Sequence, residues 1–305
     1  LKVKETRWCK RHRALGRWYD YLQGGFRSLG IPVIFDEKLE QVRAKNSIVL
    51  RTPETNRTAH PIDIVYEDFT QRIYYDMTDF TTQCYGVVMK EPGAIYFKIS
   101  MLPEYREKYP RMRPMGQIIA EPKYSGYLKR LEKEKRARAY DCDIIGIFAT
   151  TNYDLRVKAV EIINSQDWKS LAWVWNTFLK RPKAPSALVK AQLGIKEHLE
   201  LQSRAKLCLA LPGIGNWTFR HVEVMGMGNC LVSLKPEILL PGNPENCWVQ
   251  ISSDFSDFVE IVDYYLKHED ERECIARNGA IYYDNYLSPP AQAKYMLGVI
   301  SEMRK

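Results

Sequence analysis

In the second half of the chain, short continuous apolar runs alternate with apolar positions at helical spacing. Ile144 to Phe148 reads as a strand, and Asp154 to Ser165 as a helix after a Thr150-Thr-Asn-Tyr153 loop. Trp168 to Phe178 predicts another helix, closed by Pro182 and Pro185. Ile195 to Ser203 predicts a helix before a strand at Leu207, and three last helices are expected over Phe255–Lys267, Glu271–Tyr283 and Pro290–Met303. This alternation implies right-handed strand-helix-strand units on a parallel sheet. The first half is less regular. Arg13 to Leu29 carries Leu15, Trp18, Tyr19, Leu22, Phe26 and Leu29 along one helical side, and Gly30 stops it. Strands are expected at Ile31–Phe35, Ser47–Leu50, Ile62–Tyr66, Arg72–Tyr75, Cys84–Met89 and Ala94–Ile99, in a parallel or mixed sheet, with an irregular Pro103–Gly116 segment.

With 305 residues, 45% of them apolar, the chain can bury two cores of ordinary size. The expected division is 1–140, 141–285 and a closing helix over 286–305 that can cross back to the first domain. No apolar run is long enough to span a bilayer, and nothing near the start resembles a secretory leader. The chain opens on Leu1, so residues before it stay open, and a cytoplasmic location is the default expectation. Seven widely spaced cysteines, with no Cys-x-x-Cys pair, indicate neither a disulfide framework nor a structural zinc site. The formal charge of +8 favours anionic partners in general. Lys129 to Arg138 mixes signs and reads as a solvated helix face. Lys10-Arg11-His12-Arg13 is one-sided and could lie along a polymer.

The densest chemistry lies between Leu207 and Val232. An apolar strand is expected to end at Pro212, Gly213 and Gly215 to turn the backbone tightly, and a helix to begin near Asn216 or Thr218. Arg220 then falls in the first helical turn and Glu223 three residues on, where free amides and a positive dipole end make a cradle for a diphosphate. An ordinary strand-to-helix turn with a surface ion pair is the alternative reading. Thr150, Asn152 and Arg156 follow a strand whose end should line a cleft, and Lys235 and Glu237 follow the next one. Trp217 and Trp248 could stack on a base or sugar or belong to the core. His221 titrates near neutrality when free, but a helix neighbour of Arg220 faces another way. In the first half, Tyr75-Asp76-Met77-Thr78-Asp79 comes at a strand end; Asp76 is the first choice for a base, with Asp79 beside it, and a helix cap with a solvated partner is the other reading.

The segment Ser203-Arg-Ala-Lys-Leu-Cys208, the glycine turn, Arg220, Glu223, Pro236-Glu-Ile238, Asp270-Glu-Arg-Glu-Cys-Ile-Ala-Arg-Asn-Gly279 and Tyr286 resemble the nucleotide-sugar half of two-domain glycosyltransferases, in particular the exostosin-like and spore-maturation-protein-like branches. The resemblance covers roughly the C-terminal half. It implies an α/β fold of two facing Rossmann-like domains (GT-B type), with parallel sheets flanked by helices, an acceptor-side first domain and a donor-binding second one. It also implies transfer of a sugar from a nucleotide diphosphate sugar, with a UDP-sugar the expected co-substrate, to a hydroxyl acceptor, without a bound cofactor or obligate metal. Gly213, Gly215, Asn216, Trp217, Thr218 and Arg220 are then expected around the donor diphosphate with Arg156. Glu223 would meet the ribose hydroxyls, Lys235 and Glu237 sugar or ribose hydroxyls, and Lys98 a phosphate. Where many relatives have serine before the arginine, this turn has Trp217-Thr218. A glycan is the expected acceptor. Transfer to a hydroxylated DNA base, which the basic excess would suit, and a non-catalytic nucleotide or nucleic-acid binding module are the alternatives.

Overall fold

A computed structural model describes every residue except 1, 9–15, 37, 40–41, 44–57, 78–90, 92, 136–139, 177–183, 243 and 305. The chain divides into two units, one made of Leu1–Gln117, Glu237–Gly242 and Tyr286–Lys305, the other of Ile118–Pro236 and Asn243–Asn285. The expected strands at Ser47–Leu50 and Cys84–Met89, and the basic run Lys10–Arg13, lie outside the described residues.

In the first unit, β1 (Val3–Trp8) is followed by α1 (Gly16–Ser28), then β2 (Val33–Phe35), β3 (Val42–Arg43), β4 (Thr58–Tyr66), β5 (Thr70–Asp76) and β6 (Ile95–Lys98). A short helix α2 (Tyr105–Lys108) and strand β7 (Met112–Pro114) come next. The sheet runs β2-β1-β4-β5-β6-β7, with β3 against β4. It is mixed: β4 is antiparallel to β1 and β5, whereas β1–β2, β5–β6 and β6–β7 are parallel. The proline-rich segment expected to be irregular thus supplies a strand. β7 ends that path of the sheet, and its proline is its last residue, where a missing N–H costs little. On α1, Tyr19, Leu22 and Phe26 are buried, and Trp8 of β1 meets the edges of Tyr19 and Phe26 at 6.4 and 6.1 Å. Each such side chain contributes roughly 1.5–3 kcal/mol by leaving water.

The second unit contains α3 (Ser125–Lys135), β8 (Cys142–Ala149), α4 (Tyr153–Asn164), β9 (Ser170–Trp175), α5 (Ile195–Ser203), β10 (Ala205–Leu209), α6 (Phe219–Gly226), β11 (Cys230–Leu234), β12 (Val249–Ile251), α7 (Phe258–Lys267) and α8 (Glu269–Tyr282). Its sheet, β12-β11-β10-β8-β9, is parallel throughout. Ile144, Phe148, Leu207, Leu209, Val232 and Val249 form its core with Val160 and Ile163 of α4. The helix expected over Trp168–Phe178 is instead strand β9. Ala172, Trp173 and Val174 are buried there, and a short apolar run with β-branched and aromatic residues suits the pleated edge of a sheet.

The last helix, α9 (Pro289–Met303), belongs to the first unit and packs on α1. Ser288 caps it, its Oγ accepting the Ala291 N–H, and prolines fill the first two helical positions, which need no donor. Gly25 permits the close approach of α1, since a Cβ there would lie 2.0 Å from the Pro289 carbonyl oxygen. Tyr21 donates to the Leu287 carbonyl at 2.8 Å across the same contact.

Candidate functional site

Because β8 and β10 are parallel, their C-terminal ends open on one edge of the second sheet. The 150–152 and 210–218 loops leave from it, and α4 and α6 begin there. Ligands of open α/β sheets are usually held beyond such strand ends. β10 stops at Leu209, three residues before the Pro212 expected from the sequence, because Ala210 to Thr218 runs on as loop.

Arg156, on the first turn of α4, is buried and spends its donors on neutral acceptors. It donates to the carbonyls of Ala149 at 2.9 Å, Leu211 at 3.0 Å and Pro212 at 3.0 Å, and to Thr151 Oγ1 at 2.8 Å. The side chain therefore laces the loop after β10 to the end of β8. Gly213 is a glycine for this reason: a Cβ there would lie 2.7 Å from Arg156 Nη2. Gly213 has no positive φ, and its N–H donates to the Gly215 carbonyl at 3.0 Å, so Gly213 answers a need for room rather than for left-handed backbone.

Arg220 is half-buried and turned inward. Its Nη1 donates to the carbonyl of Ile147, two residues past the last β8–β10 pair Ile145↔Cys208, and its Nη2 lies 3.4 Å from His198 Nδ1. Both guanidiniums sit over the Phe148 ring, at 5.4 Å for Arg156 and 5.5 Å for Arg220. Neither forms an ion pair among the described residues, so the surface pair between Arg220 and Glu223 does not occur. Burial pushes Arg156 down to about 9, with the charge of Arg220 adding to it. Burial likewise pushes Arg220 down to about 10. Both stay cationic at neutral pH, which concentrates two positive charges beside the α6 N-terminus.

Thr218 caps α6, one of the two starts the sequence offered, in extended backbone. His221 answers it from the third helical position: Nδ1 accepts the Thr218 N–H at 3.0 Å, so the proton sits on Nε2, which donates to Ser233 Oγ at 2.8 Å. Fully buried, His221 is pushed down to about 3 by desolvation, and it stacks on Trp217 at 3.9 Å. It is a brace of the helix start rather than an acid or base. The unfolded chain titrates this imidazole near 6.5, so below that pH the unfolded state binds the extra proton. The contribution of His221 to stability is complete above about 6.5 and is lost as pH falls toward 3, at about 1.4 kcal/mol per unit. Denaturant melts at pH 7.5 and 5 should show a smaller loss for His221→Asn than for the natural chain.

Glu223 is buried and its Oε1 accepts the Ala120 N–H at 3.1 Å; burial raises its pKa, against the pull of Arg220 and that amide. Trp217, expected at the donor, is a core residue with 2% exposure, edge-on to Trp248 at 5.2 Å. Its large apolar ring is buried together with His221 under the cap. Thr150 is buried with its N–H on the Trp175 carbonyl, while Asn152 precedes α4 without a side-chain capping bond. Asn216 is half-buried in the loop. Lys235 and Glu237 are exposed, and no helix follows them directly. His198, the Ile147 carbonyl and the Phe148 ring complete the surroundings of Arg220. Phe148 was visible as a strand-end aromatic, but nothing in the helical spacing of α5 marks His198.

In the first unit, Asp76 and Lys98 end adjacent parallel strands and pair in register. Both are fully buried. Lys98 Nζ lies 3.3 Å from Asp76 Oδ2, and Tyr96 donates its hydroxyl to the same oxygen at 2.6 Å. Lys98 is thus turned onto Asp76, as a buried ammonium requires a nearby opposite charge. Asp79 lies outside the described residues. Among the described residues, no group of three or more His, Cys, Asp and Glu side chains could hold a metal ion, and no helix is long and apolar enough to cross a membrane.

Solved structures align with this chain. The Anabaena protein HepE, solved with UDP and glucose, aligns with a TM-score of 0.50 and 11% identity over 75% of this chain and 71% of its own. A glycosyltransferase from Rickettsia africae aligns at 0.45 and 10% identity over 69% and 64%. Sucrose-phosphate synthase from Thermosynechococcus elongatus aligns at 0.46 and 11% identity over 72% and 61%. The chain therefore spans under two thirds of the length of the last two. No curated protein matches it significantly. Residues 129–297, more than half of the chain, match the family described as glycosyl transferase-like. With its two α/β sheets flanked by helices in a GT-B-type fold, the chain belongs to the glycosyl transferase-like family.

Proposed function

We propose that this protein transfers a sugar from a nucleotide diphosphate sugar to a hydroxyl of a glycan, and that its affinities lie with the exostosin-like and spore-maturation-protein-like branch. The observation that carries the reading is the pair Arg156 and Arg220, two cations that form no ion pair among the described residues and sit at the strand ends beside a helix N-terminus. In the reaction the bond from the anomeric carbon to the diphosphate oxygen breaks and the diphosphate leaves with the electron pair. The acceptor oxygen forms the new glycosidic bond, and its proton passes to a base. Arg220, with the first-turn amides of α6, compensates the growing charge on the leaving group without rearranging. Arg156 acts mainly by holding the Leu211–Gly213 backbone in position for it. Glu223 is assigned to the ribose, through the oxygen that does not take the Ala120 amide, and Lys235 and Glu237 to sugar or ribose hydroxyls. Thr150, Asn152, Gly215, Asn216 and Thr218 are assigned to the donor loops, and Asp76 to the acceptor proton.

The reading is tested by incubating the purified protein with a panel of nucleotide sugars and with oligosaccharides or hydroxymethylated duplex DNA, and following acceptor mass. A sugar increment on an oligosaccharide that disappears in Arg220→Ala is the expected result. An increment on DNA alone replaces the glycan by a modified base as acceptor. Absence of both transfer and donor hydrolysis across the panel makes the protein a binding module.

A further inference from the structure

Among the described residues Arg220 has two hydrogen-bond partners, and both are neutral acceptors. One is the Ile147 carbonyl and the other is His198 Nδ1, at 3.4 Å from Nη2. A guanidinium nitrogen has only hydrogens to offer, so Nδ1 must be the accepting nitrogen and the His198 proton must sit on Nε2. Nε2 is buried and has no hydrogen-bond partner among the described residues. The chain therefore leaves one polar atom of His198 unsatisfied in order to present the other to Arg220. A carboxylate at this position would hold the guanidinium more tightly, but would also neutralise it; a neutral imidazole orients the group and leaves its charge available.

We infer that His198 is a positioning residue for Arg220, fixing the guanidinium with the Ile147 carbonyl through neutral acceptors so that its charge stays available to a diphosphate. The inference rests on the reading of Arg220 as a diphosphate ligand, and it adds a residue that never touches the ligand itself.

The test is calorimetric titration of the full chain with inorganic pyrophosphate, which removes any dependence on the donor's base or sugar, with thermal melts alongside. Asparagine puts its Oδ1 where Nδ1 stands, so His198→Asn should bind within about twofold of the natural chain. His198→Leu removes the acceptor and should bind roughly five- to tenfold more weakly, the scale of one lost hydrogen bond. His198→Asp keeps the shape and adds a charge that neutralises the guanidinium, and should bind more weakly than His198→Leu. Should the leucine variant not fold, the asparagine and aspartate variants, nearly identical in size, decide the matter by themselves. Equal affinity of the asparagine and aspartate variants, or of the asparagine and leucine variants, overturns the positioning role. If Arg220→Ala binds pyrophosphate as the natural chain does, the diphosphate reading falls and His198 with it. If Arg220→Ala loses binding while the three His198 variants all match the natural chain, only the positioning role falls.

Discussion

Arg220→Ala is expected to weaken nucleoside diphosphate binding and sugar transfer by about 2–5 kcal/mol, roughly thirtyfold to several thousandfold. The range follows from what the side chain leaves behind. A bidentate guanidinium beside a helix N-terminus is worth more than a surface ion pair, because burial removes the water that would otherwise screen it. Its loss also uncovers the Ile147 carbonyl and withdraws the donor from His198. Arg220→Lys should restore little of the effect: an ammonium is a point charge without the planar fork, and it cannot donate to Ile147, His198 and two phosphate oxygens together. Isothermal titration with the nucleoside diphosphate and steady-state transfer check the prediction, and a folded Arg220→Ala variant with unchanged affinity and turnover removes Arg220 from the donor site. Arg156→Ala should behave differently. Its four acceptors are protein atoms, so the variant should lose stability first and donor affinity only through the loosened Leu211–Gly213 backbone.

The order of elements in the second unit could be read from the sequence because burial on a parallel sheet leaves a strong periodic mark. Ile144 to Phe148 is apolar throughout, as a strand covered on both faces must be, and the helix read over Ile195–Ser203 has those bounds. The sequence around β9 predicts a helix because Trp168 to Phe178 is an apolar stretch long enough for either structure, and the choice is made by pairing with β8, a long-range contact that no local pattern carries. In the first unit, antiparallel and parallel pairs occur in one sheet, so no single repeat announces its order. At the site, the sequence marked Arg220 and the glycine turn but not the direction of either arginine. That direction depends on which carbonyls at the ends of β8 and β10 accept from them, and on the Phe148 ring beside them. Gly213 is expected from the sequence to turn the backbone tightly. It is small because Arg156 lies against it, and only the assembled fold brings those two residues, 57 positions apart, together.

Asp76 presents the second large expected effect, since its geometry suits two roles that a single substitution would confuse. As half of a fully buried pair with Lys98, it lies 3.3 Å from an ammonium that is shielded from water. Lys98→Met should therefore cost about 3–5 kcal/mol of stability, and Asp76→Asn a similar amount, since each breaks a buried ion pair from one side. For a unit of this size the melting midpoint should drop by roughly 6–20 °C. Loss of turnover in Asp76→Asn alone would say nothing about proton transfer. The double variant Asp76→Asn with Lys98→Met removes both charges, and replacing a buried pair by neutral groups of similar volume is often nearly neutral for stability. Its melting midpoint should return close to that of the natural chain, with donor affinity intact. If Asp76 takes the acceptor proton, transfer in this refolded double variant should stay depressed by about 10²–10⁴-fold, the usual contribution of a general base. Turnover that recovers together with stability would instead confine Asp76 to the packing of β5 against β6, with Tyr96 and Lys98 as its structural partners. The separation works because the two roles differ in what Lys98 does: the ion pair needs its charge, whereas a proton acceptor is weakened by it.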